Sequence, residues 1–227
     1  MYKTQQHATN VEFNYICIKR EFFDPNMIYL NYYQLKKKKY IEIIYKSPSI
    51  FLEGLFFKTP PIELNNITIY RNDKIPRYLN KTENIEIKLH FNMDNPEHAK
   101  FITILNNLDK YLIEYMDKCK TDIERELQAN YNDYRKISEF EYSNTIKQSE
   151  ADKGIWQMSL RSYIDKRITS DIYKKKQNLN KAIGTVNETD TAKSTKYVFT
   201  FNISNIYFGS SHITPLIKTN DVLELNE

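Results

Sequence analysis

The chain has 227 residues, 41% apolar and 27% charged, enough for one domain, or one domain with an insertion, around a real core. Its formal net charge is +4, and with two cysteines, Cys17 and Cys119, and four isolated histidines it is neither a disulfide scaffold nor a zinc module. No stretch reaches the ~18 apolar residues that span a membrane, and Met1–His7 has no apolar signal region, so a reducing compartment, cytosol or nucleus, is expected.

Residues 1–10 read as a loose polar start, and Val11–Ile18 alternates weakly, like a strand. Asp24-Pro25-Asn26 is a turn signal. Met27–Tyr33 and Tyr40–Tyr45 are β-branched and aromatic runs flanking Lys36–Lys39, which predicts a hairpin with a basic tip. Ile50–Phe57 predicts one strand buried on both faces, with a bulge or bend at Gly54. Pro60-Pro61 ends it, because proline cannot join a central ladder. Ile67–Tyr70 is a short strand, Arg71–Lys81 a basic loop, and Ile85–Phe91 a strand of period two.

The period then changes. Asn95 suits a helix cap, with Pro96 in the first turn and Glu97 favourable to the dipole. Phe101, Leu105, Leu108, Leu112, Tyr115 and Cys119 recur at helical steps. Thr121–Glu124 matches a capping box, predicting a second helix with Leu127, Tyr131 and Tyr134 on one face. Strands return at Ile155–Tyr163 and Lys196–Phe208. In the second, Tyr197, Phe199, Phe201 and Ile203 take one side, and Val198, Thr200, Asn202 and Ser204 the other. Residues 166–195 have little period and read as a mobile basic loop, and residues 219–227 as a short acidic tail.

This order predicts an α+β fold. It is a single domain over residues 1–227, a mostly antiparallel barrel of the oligonucleotide-binding kind, with a helical segment (95–136) inserted before the last strands. A helix-flanked sandwich gives the same string of elements. Charge is segregated. Residues 1–91 carry 14 Lys+Arg against 9 Asp+Glu, residues 92–150 carry 8 against 12, and residues 166–196 carry 8 against 3. Two basic segments therefore flank an acidic helical one, which builds local fields that the net charge conceals. The 18 tyrosines and many lysines also follow AT-rich codon usage, so the placement of the charges carries more weight than their number.

No Gly-rich phosphate loop, nucleophile elbow or histidine pair at metal spacing occurs. The expectation is therefore a protein without catalysis or cofactor, with His90 and His98 solvated and Cys119 a small core residue. Rings and cations interleave instead, as single-strand binders require for stacking and phosphate neutralisation. The candidate contacts are Lys37 and Lys39 at the basic tip, then Phe57, Lys58, Tyr70, Arg71, Lys74, Arg77 and Tyr78. Trp156 and Arg161 on the returning strand and Lys174, Lys175 and Lys176 in the late loop complete the set. Core packing accounts equally well for Phe51, Phe56 and Trp156, and a solvated loop for either lysine run.

The run Ile50-Phe-Leu-Glu-Gly54, then Phe57-Lys-Thr-Pro60, then Ile85–Phe91 and a helix with Phe101, Leu105 and Leu108-Asp109 resembles the single-stranded DNA-binding proteins of poxviruses and other large cytoplasmic DNA viruses. The likeness covers roughly Met27–Cys119, with a weaker echo at Lys196–Phe208. Several such proteins carry glutamine where Lys58 stands, and longer acidic tails. A linear-plasmid relative would suit the composition too. The resemblance implies an oligonucleotide-binding fold and a role in DNA replication, recombination or repair in the host cytoplasm. Single-stranded DNA would be the ligand (RNA fits the same chemistry). Replication proteins and further copies along the strand would be partners, and a membrane would not. A viral structural or protein-interaction component, or a duplex terminal-recognition factor, remains the alternative reading.

Overall fold

The computed structural model describes residues 24–32, 39–47, 50–53, 55–71, 85–162 and 195–225. In chain order they form β1 (Ile28–Asn31), β2 (Tyr40–Ser47), β3 (Ile50–Glu53), β4 (Leu55–Lys58), β5 (Ile62–Glu63), β6 (Ile67–Arg71) and β7 (Ile85–Asn92). Then come the helices α1 (Pro96–Lys118) and α2 (Lys120–Tyr131). They are followed by β8 (Glu141–Tyr142), β9 (Lys147–Gln148), β10 (Ile155–Ser162), β11 (Lys196–Phe208) and β12 (His212–Leu225).

The architecture is mixed α+β. A curled, open sheet is built on the β11–β12 hairpin, and a smaller sheet on β6, β7, β9 and β10. One side of β11 is covered in succession by β5, β4 and β2, all antiparallel, and β1 and β3 flank β2. Among the described residues the two sheets meet at one parallel bridge, Arg161↔Lys218.

Periodicity explains the large sheet. In β11 the side chains at 197, 199, 201 and 203 are buried and those at 198, 200, 202 and 204 half-exposed, the alternation the sequence predicts. A register shift between Ile203 and Asn205 inserts one residue, and Ile206 and Phe208 carry on facing inward. The predicted strand at Ile50–Phe57 is two strands with different partners, β3 on β2 and β4 on β11. Leu55, Phe56 and Phe57 are all buried.

The C-terminal strand departs furthest from the sequence reading. Residues 219–225, expected as an acidic tail, belong to β12, paired with β11 from Ile213 to Leu225. Pro215 is tolerated because the far side of β12 meets β8 at residues 212–213 and β10 at Lys218, with no described ladder between them.

Asn95 caps α1 as predicted, its Oδ1 accepting from the Glu97 and His98 amides. Phe101, Leu105, Leu108 and Leu112 face the core, and Tyr115 and Cys119 pack half-buried against it. The predicted capping box at Thr121 is not formed. The two helices meet at Cys119, whose carbonyl takes the Asp122 and Ile123 amides, so Thr121 already lies inside α2. The second helix ends at Tyr131, where Asn132 adopts φ 54°, a left-handed stop, leaving Tyr134 beyond the helix and exposed. Phe101 stands edge-on to Phe201 and tilted on Phe91, so one core is shared by α1, the large sheet and the small one. No helix among the described residues is long and apolar enough to cross a membrane.

Candidate functional site

Strand pairing assigns each side chain of the large sheet to a face, because directly opposed residues point the same way. The inner face carries Leu30, Ile41, Ile43, Phe57, Phe201 and Ile206, all fully buried. The outer face carries Tyr29, Ile44 and Lys46 on β1 and β2, and Phe56 and Lys58 on β4. It continues with Lys196, Thr200, Asn202 and Tyr207 on β11, and Lys218 on β12. Ile44 and Phe56, at its centre, are 9% and 6% exposed. Towards the margins Tyr29 and Tyr207 are exposed, as are Lys46, Lys58 and Lys218. The Lys46 ammonium lies 4.7 Å from the Tyr29 ring centroid, a cation–π pair. Four lysines (46, 58, 196 and 218) face three glutamates, Glu42, Glu63 and Glu141, among the described side chains of this face, the last of them paired with His212 at 3.0 Å. Glu42 is tied by the Asn31 amide at 3.0 Å.

The predicted contact residues scatter. Lys58 lies on the outer face, exposed and opposite Thr200. Phe57, its neighbour, points the other way. It is 1% exposed and stacks on Phe201 with centroids 5.6 Å apart, so it has no open ring face for a base. Trp156 is half-buried against the core, opposite Phe91 in the small sheet. Tyr70 and Arg71 sit in β6 opposite Glu86 and Ile85, and Arg161 in β10 at the bridge between sheets; only their backbone is described. Lys37, Lys74, Arg77, Tyr78, Lys174, Lys175 and Lys176 lie outside the described residues, as do Gly54 and the expected strand at Val11–Ile18.

Lys39 is engaged in the fold. Its ammonium donates to Asp133 at 2.7 Å, and its carbonyl accepts the Phe208 amide. Asp133, just past the end of α2, also accepts from Arg135 Nε at 2.8 Å. The Arg135 guanidinium, and secondarily Lys39, hold this carboxyl well below the usual carboxylate range, against the opposing effect of burial. Arg135 also donates to the carbonyls of Gly209 and Ser210 and lies 4.3 Å from the Phe140 ring centroid. A three-charge clamp thus fastens the β11–β12 turn to the end of α2 and the start of β2. The lysine expected on a ligand is its first cation.

His98 is buried as well, where a solvated ring was expected. Its Nδ1 accepts the Asn92 amide at 3.1 Å, which leaves Nε2 to donate to the Pro61 carbonyl at 3.3 Å. The ring ties the first turn of α1 to β7 and the Pro60-Pro61 corner. Thr59 in the same corner is 1% exposed, and its hydroxyl accepts the Phe199 amide at 3.0 Å. The Thr-Pro step therefore prolongs the β4–β11 ladder before the prolines end it.

Two further features lie away from the outer face. Asp109 on α1 is a buried carboxylate with no cation paired to it among the described residues. A groove of about 540 Å³ runs between the junction of the helices and residues 136–142, with Met116, Ile137 and Phe140 on its walls. Its rim cations are spent on neighbours, Lys120 on Asp117 and Lys136 on Glu124. Among the described residues no group of three or more His, Cys, Asp or Glu is placed to hold a metal.

Sequence reasoning missed Tyr29, Lys46, Tyr207 and Lys218 as a group. The usable signal was the alternation of their strands, which sets Tyr29 and Tyr207 out of phase with the buried positions beside them. No protein-family model and no curated protein matches this chain.

Proposed function

We propose that this chain is a non-catalytic, largely sequence-independent single-stranded DNA-binding protein serving replication, recombination or repair, and that the outer face of the large sheet holds the strand. One observation carries the reading: that face joins exposed rings, Tyr29 and Tyr207, to exposed lysines, Lys46, Lys58 and Lys218, while Phe57, Phe199, Phe201 and Phe208 of the same sheet are spent on the core. Rings stack on bases whatever their identity, and lysines follow phosphates, so the pairing favours a single strand without choosing its sequence. The curled open sheet is read here as an oligonucleotide-binding barrel left unclosed, in keeping with the resemblance to the poxvirus-type proteins. On this reading replication proteins and further copies along the strand are the partners, in a cytoplasmic setting.

The test is a fluorescence titration with labelled oligo(dT), repeated with oligo(U), at low and moderate salt. Binding in the micromolar range or tighter at low salt is expected, weakening steeply as counterions are retained. No binding at micromolar protein in low salt ends the proposal, and preference for one duplex sequence turns it toward a terminal-recognition factor.

A further inference from the structure

The two sheets present one continuous outer side. Arg161 and Lys218 are directly opposed at the bridge between β10 and β12, so their positions belong to the same face. Lys218 stands opposite Asn202, on the outer face of the large sheet. Counting in twos along β10 then puts Gln157 and Ser159 on that side, and Met158 and Leu160 on the buried one. Strand pairing carries the assignment across the small sheet. Lys88 and Thr68 share the side of Ser159, and His90 and Lys147 share that of Gln157. Their apolar neighbours Ile67, Ile87 and Leu89 are fully buried on the other side.

This second face differs in kind from the first. Among its described side chains the one ring is the His90 imidazole, and the rest are hydrogen-bonding groups and cations. Ser159 and Lys147 are exposed, and Thr68, Lys88, His90 and Gln157 half-exposed. The Thr68 hydroxyl and His90 Nε2 share a hydrogen bond at 3.3 Å. By register, the charged positions of the face are Lys88, Lys147 and Arg161 against Glu86. Such a surface suits phosphate and sugar oxygens and offers little to a base face.

On the strand-binding reading of the large sheet, we propose that the outer face of the small sheet is a second binding surface for the same single strand. The strand crosses the bridge and is held beyond it by its phosphates. Charge and continuity carry the proposal. Lys58, Lys218 and Lys88 lie on one side of a run of hydrogen-bonded strands, β4, β11, β12, β10 and β7. Its inter-strand steps of about 4.8 Å add up to a path of roughly 19 Å, longer than one nucleotide can fill. Contacts on the small sheet are electrostatic, so they weaken fastest as salt rises.

Titration of the full chain with oligo(dT) of about 6 and about 16 nucleotides, within the range that one binding fold occupies, is the test. Ser159→Asp puts a carboxylate on the small-sheet face, and Lys147→Ala removes a cation from it. Each should weaken the longer oligonucleotide by about fivefold at low salt and leave the shorter one within about twofold. Lys147→Ala should also lower the salt slope of the longer one by about 0.7. Asn107→Asp adds a charge on the exposed side of α1, across the core, and should change neither. If Ser159→Asp and Lys147→Ala bind the longer oligonucleotide like wild type while Lys58→Ala with Lys218→Ala weakens it, the strand stays on the large sheet and the proposal is overturned. Equal weakening by Asn107→Asp and Ser159→Asp reduces the effect to net charge and overturns it as well. If the wild type binds neither length, the large-sheet reading fails and this one with it.

Discussion

Phe57 and Lys58 are adjacent in sequence and belong to opposite faces of the large sheet. The ring of Phe57 is fully buried on the inner face, stacked on Phe201. The ammonium of Lys58 stands in solvent opposite Thr200. A two-residue repeat turns one stretch into a core element and a candidate binding element at once, so the residues of an interface here are found by phase and not by proximity in the chain. The same division separates Phe201 from Asn202 and Ile206 from Tyr207. It also shows why aromatic richness alone is a poor guide: of 12 phenylalanines, Phe57, Phe91, Phe101, Phe199, Phe201 and Phe208 are fully buried.

The largest expected effect lies on the inner face. Phe57→Ala removes a fully buried ring that stacks on Phe201, at a cost of about 3–5 kcal/mol in unfolding free energy. Chemical denaturation measures it. Affinity of the fraction that stays folded for an oligonucleotide should be unchanged, since the ring meets no ligand. A small stability loss with a large affinity loss would reverse the assignment of faces.

Tyr207→Ala probes the other side. Tyr207 is 44% exposed at the end of β11, opposite Tyr40. Stability should stay within about 0.5 kcal/mol, while loss of one stacked base weakens oligo(dT) binding by about 1–3 kcal/mol. Unchanged binding in Tyr207→Ala and in Tyr29→Ala would leave the outer face with charge alone, and a protein partner would then explain the exposed rings better.

How much of this was legible in the sequence depends on the range of the interactions. The alternation in β11, the apolar stripe of α1 and the Asn95 cap are local, and the chain displays them directly. β12 was hidden because Pro215 and the acidic residues around Asp221 and Glu224 look unlike a strand. Its pairing with β11 supplies what its own propensity lacks. Lys39 looked like a free cation because Asp133 is 94 positions away, and the clamp exists only once α2 has brought that carboxylate to the turn. Nothing in the local sequence marks Asp109, beside Leu108 on α1, as a buried carboxylate. Only the return of residues 142–146 across α1 buries it and gives it donors. Closure of the sheet is of the same non-local kind: the alternation of each strand is as compatible with the open curl as with a barrel.

The smallest effect is the most selective test of the two faces. Lys58 and Lys218 flank the Thr200–Asn202 stretch of β11 from opposite sides, one from β4 and one from β12. Neither is in an ion pair among the described residues, and both are exposed, so replacing either with alanine should move stability by no more than about 0.5 kcal/mol. Each phosphate they neutralise contributes about 0.7 to the slope of log affinity against log salt for a single strand. The double variant Lys58→Ala, Lys218→Ala should therefore flatten that slope by about 1.4 and lose affinity mainly at low salt. The control is Lys39→Ala. It breaks the Asp133 clamp, so it should cost stability while leaving the salt slope where it was. If Lys39→Ala flattens the slope instead and the double variant does not, the strand runs past the β11–β12 turn, and the outer face is only the exposed back of the sheet.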